Sequence, residues 1–206
     1  MTELHESAKA MYAPQDGVRY TYDAFSTWAD NHQWELIDGT PHAMTVPSIA
    51  HQDISRGLFR QLDRFLIGHP CRVYAAPLGV RLNADSSDDT VVQPDLLVVC
   101  DRSKLSDGKS CKGAPDLIIE ILSPSTARHD RMVKFNLYRF AGVQEFWIVD
   151  PDTRLVEAYV LVGGEYKLQK YADTDHAPVH VLPGLEIHLP EVFAEMDVEA
   201  EAQGQS

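Results

Sequence analysis

An acidic residue inside an unbroken apolar run is the feature of this sequence most suited to chemistry. Glu120 stands in the run 117–122, Leu-Ile-Ile-Glu-Ile-Leu, where polar and apolar residues do not alternate. A short continuous apolar run is typical of a strand that is covered on both faces. A carboxylate in such a strand must be paired or bound to a metal, because an isolated buried charge is very costly. The run therefore predicts that Glu120 has a functional partner.

A second carboxylate, Asp95, follows Pro94 in another apolar segment, predicted to be a strand over 91–100. If the two strands are neighbours in a sheet, Asp95 and Glu120 converge. Two carboxylate oxygens at about 2.0–2.1 Å are a usual protein share of a magnesium site, which water and substrate phosphate complete. We therefore predict that both residues are catalytic and bind Mg²⁺ or Mn²⁺, which would lower the pKa of a bound water.

Lys134 is the candidate amine of this site. In a helix over 126–141 it shares one stripe with Leu137 and Ala141, so its side chain is expected to point inward. There it would orient a nucleophilic water or stabilise charge in the transition state. The alternative is a solvated lysine whose stem lies along the surface.

Three further side chains are candidates from separate elements. Glu35 precedes the hairpin turn Asp38-Gly39 and is a fourth catalytic candidate, or else a surface carboxylate. His51 opens a predicted helix and is a candidate substrate-binding residue, or simply a residue of the helix end. Tyr138 is also assigned to substrate binding, with a core position as its alternative.

The elements that must position these residues are strands interrupted by two main helices. Apolar residues recur at helical spacing over 51–67, and Gly68 and Pro70 then end that helix. Ser123-Pro124-Ser125 ends the central strand and caps the second helix, over 126–141. A short helix is expected after Thr21. The predicted extended segments are 34–37, 40–46, 72–76, 79–82, 91–100, 116–122, 144–149, 155–161, 166–171 and 183–189.

The length of 206 residues allows one domain with an ordinary core. No repeat or low-complexity linker divides the chain. We expect a loose segment over 1–19, a single domain over 20–190 and an acidic tail over 191–206. The net charge of −13 argues against a protein that coats nucleic acid through a broad basic surface.

The cysteines bear on the compartment. Cys71, Cys100 and Cys111 are odd in number and share no Cys-x-x-Cys spacing, which favours free reduced thiols over a disulfide or a zinc site. No apolar run reaches the roughly 18 residues of a membrane helix, and residues 1–9 lack the apolar core of a secretory signal. We expect a cytoplasmic protein with no membrane partner.

Several blocks of the sequence together resemble one family. These blocks are Trp34-Glu35-Leu36-Ile37-Asp38-Gly39, His51-Gln52, Pro94-Asp95-Leu96, Gly113-Ala114-Pro115-Asp116, Glu120-Ile121-Leu122-Ser123-Pro124-Ser125, Lys134, Tyr138-Arg139, Gly142-Val143 and Trp147-Ile148-Val149-Asp150-Pro151. Through them the sequence, from about residue 20 to 190, is similar to the Uma-two family of bacterial restriction-endonuclease-like proteins.

The resemblance implies a PD-(D/E)XK nuclease fold. That fold is α/β (α+β), with a mixed central sheet flanked by helices, and here an additional antiparallel hairpin region. The resemblance also implies DNA as the substrate and a homodimer. In the PD-(D/E)XK motif a lysine lies two residues after the second acidic residue, but position 122 is Leu. Lys134 is the proposed substitute, reaching the same point from the next helix.

Two functions stay open from the sequence. The first is a divalent-metal-dependent endonuclease that hydrolyses phosphodiester bonds in DNA. The alternative is a catalytically degenerate nuclease-like module that acts in dimerisation or partner binding, which the −13 charge and Leu122 favour. A serine or cysteine hydrolase is disfavoured, because the sequence contains no Gly-x-Ser-x-Gly elbow.

Overall fold

The computed structural model describes residues 14–15, 17–29, 32–123, 127–194 and 196, without the side chains of 127–131. The helices are α1 (Tyr22–Phe25), α2 (Ile49–Leu66), α3 (Ala127–Ala141) and α4 (residues 189–194), with a 3-10 turn at Arg102–Leu105. The strands are β1 (Trp34–Ile37), β2 (Thr40–Ala43), β3 (Arg72–Ala75), β4 (Gly79–Arg81), β5 (Val91–Val92), β6 (Leu96–Val99), β7 (Ser110–Lys112), β8 (Leu117–Ile121), β9 (Glu145–Asp150), β10 (Leu155–Val162), β11 (Glu165–Ala172), β12 (His176–Pro178) and β13 (Glu186–His188).

The main sheet has six strands in the order β11-β10-β9-β8-β6-β3. Within this sheet only β8 and β9 pair in parallel, and α3 makes the crossover between them. The other pairs of this sheet are antiparallel, so the sheet is mixed, as predicted. The predicted hairpin over 155–171 is the outer part of this sheet.

Two core clusters show that the main helices cover opposite faces of the sheet. Ile54 and Leu58 of α2 pack in one cluster with Leu117 and Ile119. Tyr138 of α3 packs in the other cluster with Ile118 and its neighbours on β6 and β9. Because side chains alternate along a strand, Glu120 belongs to the α3 face, on which Ile118 lies.

A second sheet forms beside this face. Its five strands follow the order β2-β1-β5-β4-β7. Val80, Val92 and Cys111 of this sheet join the cluster beneath α3. The second sheet therefore brings the β1–β2 hairpin, with Glu35, towards Glu120.

Some elements differ from the sequence predictions. The segment predicted as one strand over 91–100 is two strands, β5 and β6, and Asp95 lies just before β6. Strands β7 and β12, in segments without a strong apolar pattern, were not predicted. The expected loose segment over 1–19 and the cap at Pro124-Ser125 lie largely outside the described residues.

The folded part extends beyond the predicted domain end at residue 190. Residues 189–194 form α4, and Val192 and Phe193 are buried in the core. Gly57 of α2 allows close contact, because a Cβ atom there would lie 3.2 Å from the Cα atom of Val192. The start of the predicted acidic tail is thus a packed helix, and 195 and 197–206 lie outside the described residues.

The prediction of three free cysteines is wrong for two of them. Cys71 and Cys100 form a disulfide, and Cys111 is free and buried. Arg72 pairs with Val99 across β3 and β6, so the same register sets Cys71 opposite Cys100. The pairing weakens the reduced-thiol argument for a cytoplasmic protein, since disulfides are typical of oxidising compartments.

Candidate active site

Strand register brings the two predicted metal ligands together. Strands β6 and β8 are antiparallel, with Leu96 opposite Ile119. Continuing that register by one residue sets Asp95 opposite Glu120. The main-chain N–H of Ile121 donates to Asp95 Oδ2 at 2.7 Å, which fixes the Asp95 carboxylate against β8.

Each of three carboxylates in this region has one oxygen held by two protein donors. Glu35 Oε1 accepts from the N–H of Gln93 at 2.8 Å and from Lys134 Nζ at 3.0 Å. Glu120 Oε1 accepts from Lys134 Nζ at 3.0 Å and from the Tyr138 hydroxyl at 2.5 Å. Asp95 repeats the pattern at Oδ2, which accepts from Ile121 and contacts His51 Nε2 at 3.1 Å.

The second oxygen of each carboxylate accepts no hydrogen bond from the described part of the chain. These atoms are Glu35 Oε2, Asp95 Oδ1 and Glu120 Oε2. Each carboxylate is therefore fixed through one oxygen, and its other oxygen can bind a ligand.

Lys134 reaches the site from α3 as an inward lysine. It is 8% exposed, and its amine lies between Glu35 and Glu120. Burial alone would lower the pKa of Lys134, but the charges of Glu120 and Glu35 and their hydrogen bonds raise it instead. The amine therefore stays protonated and acts as a donor and a positive charge.

Glu120 has an unusual protonation equilibrium for a carboxyl group. Burial raises the pKa of Glu120 to about 7, and the charges of Asp95 and Glu35 act in the same direction. Lys134 and the hydroxyl of Tyr138 oppose that rise. A carboxyl group with such a pKa, beside a cavity, is typical of a functional site.

Tyr138 is placed behind the site rather than at its surface. It is 0% exposed, and burial raises the pKa of its hydroxyl well above the usual value. The hydroxyl therefore remains protonated and donates to Glu120. Its predicted contact with substrate stays a prediction, and its observed contact is with the carboxylate.

His51 lies at the start of α2, where Ser48 caps the helix by accepting from the N–H of His51 at 3.2 Å. Burial lowers the pKa of His51, but the hydrogen bond to Asp95 and the charges of Asp95 and Glu120 outweigh it, and the pKa is raised overall. His51 is 7% exposed and lines the cavity. Its contact with a substrate stays a prediction.

A cavity of about 750 Å³ opens above these groups. Its lining includes the predicted residues Glu35, His51, Asp95, Glu120 and Lys134. The structure thus gathers five of the six predicted site residues around one space, with Tyr138 directly behind them.

Two of the carboxylates in this site suit a hard metal cation such as Mg²⁺. No group of three or more His, Cys, Asp or Glu side chains among the described residues is arranged to hold a metal ion. Magnesium is commonly bound through one or two carboxylates plus water and substrate phosphate. Asp95 Oδ1 and Glu120 Oε2 fit that smaller set.

Sequence reasoning missed Gln93 and His42. Gln93 holds Glu35 through its main-chain N–H and lines the cavity. His42 stands opposite Glu35 in the β1–β2 register and also lines the cavity. The sequence signal for His42 was its place in the hairpin predicted around Asp38-Gly39, where it lies opposite Glu35.

The sequence of residues 22–190 matches the model of the Uma2 family, described as "putative restriction endonuclease". The chain belongs to the Uma2 family. It is thus a member of a restriction-endonuclease-like nuclease family, as the sequence blocks indicated.

Two curated relatives come from Synechocystis sp. (strain ATCC 27184 / PCC 6803 / Kazusa). The uncharacterized protein sll1609 is 32% identical over 131 residues, which are 63% of this chain and 72% of the relative. The uncharacterized protein slr1290 is 30% identical over 128 residues, which are 61% of this chain and 64% of the relative.

A solved structure shares the fold. The crystal structure of a "putative nuclease belonging to DUF820" from Anabaena variabilis ATCC 29413 superposes with a TM-score of 0.71 and 20% identity. The match covers 86% of this chain and 99% of that chain. The predicted nuclease-like α/β fold is confirmed.

No helix among the described residues is long and apolar enough to cross a membrane.

Proposed function

We propose that this Uma2 protein is a divalent-metal-dependent endonuclease that hydrolyses phosphodiester bonds in DNA. The observation that carries the proposal is the pair of free oxygens, Asp95 Oδ1 and Glu120 Oε2, on opposed carboxylates beside a cavity. Carboxylate oxygens are the ligands that Mg²⁺ and Mn²⁺ prefer. A metal at Asp95 and Glu120 would supply Lewis acidity and lower the pKa of a bound water.

Lys134 takes the part of the motif lysine in this proposal. Its amine is 3.0 Å from Glu120, although it comes from α3 and position 122 is Leu. Because the amine stays protonated, it donates a hydrogen bond to the attacking water or to a phosphate oxygen and offsets negative charge in the transition state. Glu35 holds that amine in place.

The remaining residues keep the two metal ligands in position. His51 and the N–H of Ile121 hold Asp95, while Tyr138 holds Glu120. We assign His51 to substrate contact as well, because its ring lines the cavity. Family resemblance alone supports a homodimer. The expected cytoplasmic location was based partly on free thiols, an argument that the Cys71–Cys100 disulfide weakens, and both remain predictions.

The degenerate, non-catalytic module remains a second candidate for one specific reason. Lys134 already pairs with Glu35 and Glu120, and this ion-pair arrangement can be stable without a metal ion. Such a module would bind neither Mn²⁺ nor Mg²⁺ at Asp95, so metal titration separates the two candidates.

The proposal is tested with Asp95→Asn and a matched control, Asp116→Asn. Both aspartates accept a main-chain N–H at 2.7 Å across the β6–β8 pair, but only Asp95 lines the cavity. The DNA is offered both as supercoiled plasmid and as a single-stranded oligonucleotide, with Mg²⁺ or Mn²⁺. We expect cleavage by the unsubstituted protein and by Asp116→Asn, and a loss of about 100-fold or more in Asp95→Asn. Equal cleavage of both DNA forms by the two variants would contradict the proposal.

A further inference from the structure

The carboxylates of the site lie deep, which restricts how a phosphodiester can reach them. The side chains of Glu35, Glu120 and Asp95 are only 8%, 13% and 18% exposed. A phosphate must therefore enter the cavity of about 750 Å³ to approach the free oxygens. A space of this size holds roughly one or two nucleotides, since drug-sized ligands fill pockets of about 300–1,000 Å³.

The rim of the cavity makes entry harder for a duplex than for a single strand. Residues 44–48 connect β2 to α2; residues 44–47 line the cavity, and Val46 among them is 93% exposed. In a duplex each phosphate is backed by stacked base pairs and cannot leave the helix surface alone. A strand with unpaired bases can bend one phosphate past Val46 into the cavity.

The walls suit bases better than a rigid row of phosphates. Among the described side chains that line the cavity, Lys134 is the one lysine or arginine, and two of its three N–H donors already face Glu35 and Glu120. Other walls are apolar or uncharged: Met44, Val46, Pro47, Pro77, Gln33 and Gln52. Duplex binding relies on cationic side chains that neutralise phosphates, whereas stacking on unpaired bases depends less on charge.

One ring of a small aromatic cluster, His32, lines the cavity, and the other two rings lie behind it. His32 lines the cavity and its ring is 6.0 Å from the ring of Trp34, which in turn is 6.1 Å from Trp28. Aromatic side chains beside a groove are the usual platform for unpaired bases.

We propose that the site takes a DNA strand whose bases are unpaired, in single strands or in locally opened duplex, and excludes intact duplex. This inference rests on the proposed nuclease function and names the form of its substrate. The bases next to the scissile phosphate lie against the apolar wall and His32, while the phosphate reaches Asp95 and Glu120.

The test compares one labelled oligonucleotide alone, annealed to its full complement, and annealed to a strand that leaves an internal unpaired loop. With Mn²⁺ we expect cleavage of the single strand at least about tenfold faster than of the duplex, a difference of about 1.4 kcal/mol. In the looped duplex, cuts should fall within the unpaired nucleotides. Equal or faster cleavage of the intact duplex would overturn the inference.

His32→Ala and His69→Ala form a matched pair for the base contact. Both are exposed histidines with a ring against an aromatic neighbour, Trp34 for His32 and Phe65 for His69, but only His32 lines the cavity. We expect His32→Ala to raise KM for the single strand about fivefold with little change in kcat, as for a lost stacking contact. His69→Ala should match the unsubstituted protein.

The outcomes separate the inference from the function beneath it. Cleavage of both substrate forms at similar rates overturns only the preference for unpaired bases. No cleavage of any form, together with no Mn²⁺ binding by calorimetry, overturns the proposed nuclease function and the inference with it. An unchanged KM in His32→Ala overturns the base contact.

Discussion

Two glutamates on neighbouring strands, Glu145 fully buried and Glu120 with a side chain 13% exposed, have opposite surroundings. Glu145 at the start of β9 is 0% exposed, and both of its oxygens have fixed donors: Trp147 Nε1 at 2.7 Å and the N–H of Val181 at 2.9 Å. Glu120 near the end of β8 has two donors on Oε1 and none among the described residues on Oε2. The first carboxylate is satisfied by the fold, and the second is only half satisfied.

The difference shows which property distinguishes a structural from a functional carboxylate. Burial raises the pKa of both Glu145 and Glu120, so a raised pKa does not separate them. What separates them is a free oxygen next to a cavity and a buried cation nearby. Lys134 supplies that cation for Glu120, whereas Glu145 has His180 Nδ1 at 3.7 Å.

The largest expected effect tests the cation. Lys134→Met removes the partner of Glu35 and Glu120 while it keeps the length of the side chain. Removing one member of a buried ion pair typically costs about 3–5 kcal/mol, because the other charges stay buried. We expect a loss of this size in the free energy of unfolding, measured with urea at neutral pH. A loss below about 1 kcal/mol would show that the two glutamates do not depend on Lys134.

The two glutamates themselves are compared in Glu120→Gln and Glu145→Gln. We expect Glu120→Gln to weaken Mn²⁺ binding about 100-fold, since an amide oxygen lacks the charge of the ligand. Glu145→Gln should leave Mn²⁺ binding unchanged and lower the free energy of unfolding by about 1–3 kcal/mol, because one donor loses its acceptor. Calorimetry measures Mn²⁺ binding, and denaturation measures the free energy of unfolding. Weaker Mn²⁺ binding in Glu145→Gln would contradict the division into a structural and a functional glutamate.

The pKa of Glu120 predicts how metal affinity depends on pH. Because burial raises this pKa to about 7, a proton competes with the metal below that value. Mn²⁺ affinity should rise about tenfold between pH 6 and 8, the change expected for one competing proton. The stability contribution has the opposite sign: the raised pKa stabilises the protein at low pH, and that contribution is lost as the pH rises through about 7.

The difference in unfolding free energy between Glu120→Gln and the unsubstituted protein isolates this effect. We expect the variant to gain stability relative to the unsubstituted protein as the pH rises from about 4.5 to 7, because the Glu120 carboxyl is then ionised in the unfolded chain but still protonated in the folded one. If neither this difference in unfolding free energy nor the Mn²⁺ affinity changed with pH, the pKa of Glu120 would lie near its ordinary value.

The smallest effect concerns the hydroxyl behind Glu120. Tyr138→Phe removes one of the two donors on Glu120 Oε1 and keeps the ring against Phe146. We expect Mn²⁺ affinity to fall about fivefold, as for one lost hydrogen bond of about 1 kcal/mol. Tyr166→Phe is the control, since that hydroxyl donates to Val143 O instead. Equal Mn²⁺ affinity in both variants would leave Tyr138 a packing residue.

The sequence predicted those features that repeat along the chain or stand out locally. The apolar run around Glu120, the helical spacing over 51–67 and the turn Asp38-Gly39 each gave an element that the structure contains. The inward position of Lys134 followed from helical periodicity alone.

Features that depend on non-local pairing were beyond the sequence. The disulfide of Cys71 and Cys100 required the register of β3 and β6, and no local spacing encodes it. Burial of Val192 and Phe193 was hidden by the acidic residues around them, because tertiary packing outweighed composition there.

By itself, then, the sequence determined the identities of the acids and the lysine and the elements that carry them, since periodicity and turn chemistry are local. Only the tertiary structure decided which oxygens are held and which are free. The donors that hold them come from Gln93, Ile121, Lys134, Tyr138 and His51, which are far apart in the chain and meet only when strands pair and α2 and α3 close over opposite faces of the sheet.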